Sequence, residues 1–180
     1  MNDHYDELEF AAEHDRPIPY MQRIGTYYQT LGYGAPYRWA QYADVPFTAL
    51  RKPLNQSRVA LVTTAAPYQA DKGDQGPGAP YNAAAKFYRV YTDSIDGKPD
   101  VRVSHIGIDR KHTTAEDSNT WFPLEQLKRL EQQQRIASIS PRFIGVPTNR
   151  SQRTTIDQDC TDLLAAIRED GADVAVIVAS

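Results

Sequence analysis

The side chains best equipped for chemistry are concentrated between Ser104 and Asn119, a stretch holding His105, Asp109, His112, Glu116 and Asp117. Imidazoles and carboxylates side by side are the groups used for general acid–base work near neutral pH. They also bind hard and borderline metal ions. His105, Asp109, His112 and Asp117 are therefore candidate nitrogen and oxygen ligands, although their spacing follows no standard metal signature. A structural role fits the same residues. His105 paired with Asp109 would pin the loop, and Asp117 or Asn119 would cap a helix starting near Phe122.

Two other features invite a chemical reading. The loop from Lys72 to Pro80 is rich in glycine and follows an apolar run, as phosphate-binding loops do. Its glycines at 73, 76 and 78 fit neither the P-loop nor the dinucleotide spacing, and Pro77 and Pro80 remove backbone donors that a phosphate would use. It reads as a turn-rich loop, or a lid over a site at the strand ends. Cys160 is the single cysteine, so no internal disulfide can form and no all-cysteine metal site can come from these residues. It lies at helical spacing with Ile156, Leu163, Leu164 and Ile167, which predicts a buried thiol rather than a nucleophile.

These groups need a scaffold, and the apolar pattern supplies one. Arg58 to Ala66, Asp100 to Gly107, Ile136 to Val146 and Asp173 to Ser180 read as short strands; the first and last are near-continuous apolar runs suited to burial on both faces. Lys86 to Tyr91 can alternate as a further strand. Between them, Leu124, Leu127 and Leu130 form one helical stripe behind Pro123, and Thr155 to Asp170 forms another, closed by Gly171. Strand–helix–strand alternation predicts an α/β domain over residues 57–180, with a parallel sheet of the three-layer, Rossmann- or flavodoxin-like kind. In such sheets ligands gather at the carboxyl ends of the strands. That places Thr63, Thr64, His105, Asp109 and Val178 near one site, with Thr148 closing it from the next strand. Thr63, Thr64, Asp117, Asn119 and Thr148 are the expected substrate-binding residues. His105 is the expected acid–base group or ligand, with Asp109 fixing its tautomer.

Residues 1–56 differ in composition. They hold Tyr20, Tyr27, Tyr28, Tyr33, Tyr37, Trp39, Tyr42 and Phe47, with a helix expected from Tyr20 to about Leu31 and a stop at Gly32 and Gly34. This is an aromatic-rich N-terminal arm, packed on its own domain or at a subunit interface.

With 20 Lys and Arg against 23 Asp and Glu, the net charge of −3 lacks the basic surface that non-specific nucleic-acid binding needs. No apolar run approaches the roughly 20 residues of a membrane span, and the acidic start is unlike a signal peptide. A cytoplasmic protein is expected, without nucleic acid or membrane partners.

Several segments together resemble one family. Pro36-Tyr37-Arg38-Trp39, Asp44-Val45-Pro46-Phe47, Lys52-Pro53-Leu54 and Ser57 to Ala65 are similar to the selenoprotein B family of glycine, sarcosine, betaine and D-proline reductases, and more closely to its cysteine-containing relatives. So are Ser104-His105, Asp109, Asp117-Ser118-Asn119, Phe122-Pro123-Leu124, Gly145 to Asn149 and Asp170 to Asp173. The resemblance runs from about Tyr20 onward. It implies reductive cleavage of a C–N bond in a small polar substrate, with electrons from a thiol system. Cys160 does not match the family's redox position. The resemblance therefore implies a hetero-oligomer in which a companion subunit carries the missing cysteine segment. Neither residues nor resemblance assign a cofactor to these 180 residues. Two other readings stay open: a stand-alone metal- or acid–base-dependent lyase or hydrolase using His105 and its neighbouring carboxylates, and a non-catalytic structural subunit.

Overall fold

The structure, a computed structural model, describes residues 16–34, 42–76, 79, 82–103, 111–112, 116–149 and 151–179. Two compact units divide the chain, Met1–Val45 and Pro46–Ser180.

In the first unit, α1 spans Tyr20–Thr30. It ends as expected, with Gly32 and Gly34 at φ +79° and +72°, a left-handed region that glycine enters without a Cβ clash. None of its residues is buried. The rings of Tyr27, Tyr28 and Tyr33 meet edge to face at centroid distances of 5.6 and 5.5 Å.

The second unit is mixed α/β, with a mostly parallel central sheet and few helices. β1 (Arg58–Thr63) is its centre. On one side β7 (Val174–Val178) runs parallel to it over five register pairs, from Val59↔Val174 to Thr63↔Val178. On the other side lie β5 (Ser138–Ile139) and β6 (Arg142–Gly145), both parallel to β1. They are two halves of one path interrupted at Ser140-Pro141. Proline lacks the ladder donor, and Ser140 N–H bridges the break to the Val59 carbonyl at 2.9 Å. Beyond β6, β3 (Tyr91–Ser94) pairs antiparallel.

Alternation along β1 assigns its two faces. Val59 and Leu61 join Ile139, Phe143, Trp121, Phe122 and the buried Leu124 and Leu127 of α2 (Leu124–Gln132) in one cluster. Phe122 and Phe143 meet edge to face at 4.7 Å. Ala60, Val62 and Ile144 are also buried, so β1 is covered on both faces, as its unbroken apolar run predicts.

Three expectations are corrected. The segment leading to His105 does not join the parallel sheet: β4 (Val101–Arg102) is two residues long and pairs antiparallel with β2 (Ala66–Pro67) in a separate ribbon. The chain leaves β1 at Thr64-Ala65, and Pro67 shortens the ribbon's ladder. The strand expected from Lys86 begins instead at Tyr91, whose ring is anchored against Phe143 at 5.9 Å. The helix after Asn149 carries a five-residue π turn, Thr155–Asp159, between α3 (Gln152–Thr154) and α4 (Cys160–Glu169). A π turn adds about one residue per turn and rotates everything beyond it. Asp159 takes the inward position at 3 % exposure, while Ile156, Cys160 and Leu164 are exposed. The thiol expected to be buried is therefore on the surface.

Candidate functional site

The register of β1, β6 and β7 brings three strand ends to one level. Thr63 stands opposite Gly145 on one side and Val178 on the other. Just past it, Thr64 N–H donates to the Val178 carbonyl at 3.2 Å, and Val146 N–H donates to the Thr63 carbonyl at 2.8 Å. This is the carboxyl-terminal edge where a parallel sheet exposes backbone groups and loops.

Close packing holds that edge. Tyr91 reaches across β6 and its hydroxyl donates to the Ala65 carbonyl at 2.9 Å. Its ring lies directly over Gly145, where any Cβ would collide with it. A side chain at 145 would push out the ring that ties β3 to the end of β1. Burial, reinforced by the nearby Asp93 carboxylate, holds the Tyr91 phenol well above its ordinary pKa. It is a neutral hydrogen-bond donor at any physiological pH.

The polar groups come from the loop leaving β6 and from the π turn. Thr148 and Asn149 are half-buried on that loop. Asn149 Nδ2 donates to Asp159 Oδ2 at 2.8 Å, joining the loop to the turned-in carboxylate. Ser151 caps the following helix by accepting from Thr154 N–H at 3.3 Å. Buried polar groups are paired, and π turns recur where a helix must aim one side chain. With Thr64 and Thr148 supplying hydroxyls, this edge can orient a small polar molecule. Among its described residues it presents no thiol: Cys160 neighbours Asp159 in sequence but is exposed.

The expected site residues separate into three groups. Thr64 and Thr148 belong to the edge. Thr63 does too, but it is fully buried: its Oγ1 donates to the Trp121 carbonyl at 2.7 Å and accepts from Ala65 N–H at 3.1 Å. That hydroxyl ties the end of β1 to the segment before α2, so Thr63 is a structural residue rather than a substrate contact. Asp117 is exposed, and its Oδ1 accepts from Asn119 N–H at 3.0 Å and Asn119 Nδ2 at 2.9 Å, which caps the short 3-10 helix Ser118–Thr120. The cap expected for the helix near Phe122 is thus spent on this earlier turn: the N-cap of α2 is Pro123, with no side-chain hydrogen bond. His105 and Asp109 lie outside the described residues. His112 is exposed, and no group of three or more His, Cys, Asp or Glu among the described residues is placed to hold a metal ion.

Sequence reasoning did not single out Asp159 or Tyr91. Asp159 sits in a helix whose regular period would have turned it outward, and only the π turn makes it a site residue. For Tyr91 the signal is its pairing with Gly145, which is non-local.

A cavity of about 370 Å³ opens elsewhere, between β4 and the amino end of α2. Val101, Trp121, Phe122 and Leu124 form its apolar wall, and Lys98, Glu116 and Glu125 bring charge to it. Trp121 connects the cavity to the strand edge through the carbonyl that Thr63 holds.

No family model, curated protein or solved structure matches this chain. Among the described residues no helix is long and apolar enough to cross a membrane.

Proposed function

We propose that this chain is a subunit of a cytoplasmic, reductase-like enzyme resembling the glycine, betaine and D-proline reductases, built on a three-layer, flavodoxin-like domain with an aromatic arm. It binds a small polar substrate at the carboxyl-terminal edge of its parallel sheet, and the redox thiol is supplied by a companion chain. The observation that carries this reading is the register that sets Thr64 and the Thr148-Asn149 loop at one edge, with Asp159 buried behind them. Thr64 and Thr148 orient the substrate through hydroxyl and backbone groups. Asp159, through Asn149, positions the loop. His105 acts as the acid–base group, with Asp109 fixing its tautomer. Cys160 is given no part in the redox step, because it does not match the redox position of the family that the chain resembles.

The test is made on the complex purified from its native source. Mass spectrometry is expected to find a second polypeptide carrying a reducible cysteine. Supplied with a dithiol, the complex is expected to cleave the C–N bond of its substrate reductively, releasing ammonia or an amine from glycine, sarcosine or betaine, or opening the ring of D-proline. In the same assay His105→Ala is expected to lower turnover roughly 10²–10⁴-fold without loss of folding. A stable lone chain that turns over substrate, or a complex with no second cysteine-bearing chain, would overturn the proposal.

A further inference from the structure

We propose that β7 is an interface strand: its outer side pairs with β7 of a second copy of this chain, antiparallel across a two-fold axis, so that two sheets become one. The sheet is flanked by β3 on one side and by β7 on the other, and among the described residues no strand pairs with β7 beyond β1. The two flanking strands are built differently. β3 is the polar run Tyr91-Thr92-Asp93-Ser94, and its exposed Asp93 is the kind of charge that keeps a border strand from recruiting another. β7 is Val174-Ala175-Val176-Ile177-Val178, without a charge or a proline, and its five register pairs with β1 are unbroken by a bulge. Nothing in it discourages pairing.

The backbone states what kind of partner fits. The Val178 carbonyl accepts from Thr64 N–H, which turns Val178 toward β1. Alternation turns Val174 and Val176 the same way, and turns the N–H and C=O of Ala175 and Ile177 outward. Among the described residues those outward groups have no ladder partner. An extended strand presents donors and acceptors at the matching spacing. With Ala175 set opposite Ile177 of the second copy, the two residues exchange both hydrogen bonds, and the two-fold axis repeats the exchange.

Charge and burial favour another β7 as that strand. About an axis near Val176, uncharged β-branched residues oppose one another. The nearest carboxylate, Asp173, is already paired with Lys52 at 2.7 Å. Ile177 stands in register with Val62, so its side chain lies on the face of the sheet opposite α2. Arg142 alternates with Phe143 of the α2 face and bonds Asp170 and Glu169, which puts the end of α4 on that same opposite face. Apolar side chains are left in water there: Ile177 is 67 % exposed, Ile156 of the π turn 51 % and Leu164 of α4 45 %. Five paired residues are small against the roughly 800 Å² that each partner contributes to a stable interface. A second copy brings the strand and a matching apolar face together, which an isolated peptide strand does not.

The experiment uses the full chain and does not depend on the proposed reductase site. Sedimentation at micromolar concentrations is expected to give twice the chain mass of 20.3 kDa. Hydrogen exchange of the unaltered chain is expected to show the Ala175 and Ile177 amides protected in the dimer and exchanging freely on dilution to monomer. Ile177→Lys sets like charges near the axis at an exposed position, and is expected to raise the dissociation constant roughly tenfold or more. Ala175→Pro removes an outward donor that β1 does not use, and is expected to block pairing while the folded chain persists. Thr92→Lys, on the opposite flanking strand, is expected to leave the mass unchanged. A chain that stays monomeric overturns the proposal, even where some other polypeptide is found on this strand. So does a dimer whose Ala175 and Ile177 amides exchange as fast as in the monomer, or one that survives both Ile177→Lys and Ala175→Pro.

Discussion

At the amino-terminal edge of the sheet, Lys52, Arg58 and Arg142 meet Glu169, Asp170 and Asp173; at the carboxyl-terminal edge stand hydroxyls, one amide and a single buried carboxylate. The first edge is a closed network. Lys52 Nζ lies 2.7 Å from Asp173, Arg58 N–H donates to the same carboxylate at 2.8 Å, and the Arg58 guanidinium donates to the Asp170 carbonyl at 2.7 Å. Arg142 donates to Asp170 at 2.8 Å and also pairs with Glu169. This network fastens the end of α4 and the start of β7 to β1. The second edge is tied by neutral hydrogen bonds from Thr63 and Tyr91, which leaves its loops to carry Thr64, Thr148 and Asn149. Opposite ends of one sheet are thus held differently: charge closes one, and packing with neutral hydrogen bonds holds the other.

The sharpest way to break the second edge is Gly145→Ala. The new methyl enters the Tyr91 ring, and the ring cannot move without losing its bond to Ala65. Overpacking of this kind is expected to cost about 3 kcal/mol, read by chemical denaturation. Arg142→Ala opens the first edge by leaving Asp170, whose side chain is 5 % exposed, without its cation. Its expected cost is about 2 kcal/mol, between that of an exposed ion pair and a buried one. Thr63→Val removes a buried hydroxyl and strands the Trp121 carbonyl and the Ala65 N–H. A loss of about 1–2 kcal/mol is expected, with activity per folded molecule unchanged; a loss of activity without a loss of stability would return Thr63 to the substrate contacts.

The smallest effect separates the two edges by pH. The Lys52 side chain, and then the Arg58 N–H, hold the Asp173 carboxyl below its ordinary value. A carboxylate depressed in the folded state adds stability above its unfolded pKa of about 3.9, and that contribution fades as pH falls through the lower, folded value. Asp173→Asn is therefore expected to flatten the dependence of thermal midpoint on pH below about 4 while leaving the midpoint at pH 7 slightly lower. If the acid limb is unchanged, the charge network does not hold this edge.

Local pattern made much of this legible. Apolar runs marked β1 and β7, the leucine spacing marked α2, and the glycines at 32 and 34 marked the end of α1, because these depend on neighbours a few residues away. The aim of the site was less legible. The periodicity of residues 156–167 predicted an inward Cys160, yet one extra residue in a π turn put Asp159 there instead. That choice depends on what the helix packs against. Likewise nothing local signals that the hydroxyl of Thr63 engages the Trp121 carbonyl 58 positions away.

From the sequence alone follow the α/β class and the parallel centre of the sheet, since burial on both faces and crossover helices are written in composition and period. Only the tertiary structure decided that β3 runs antiparallel, that β4 leaves the sheet for a ribbon with β2, that Gly145 must make room for Tyr91 and that Asp159 turns inward. The physical reason is that strand direction, close approach and helical phase are set by contacts between segments far apart in the chain, and those energies have no local signature.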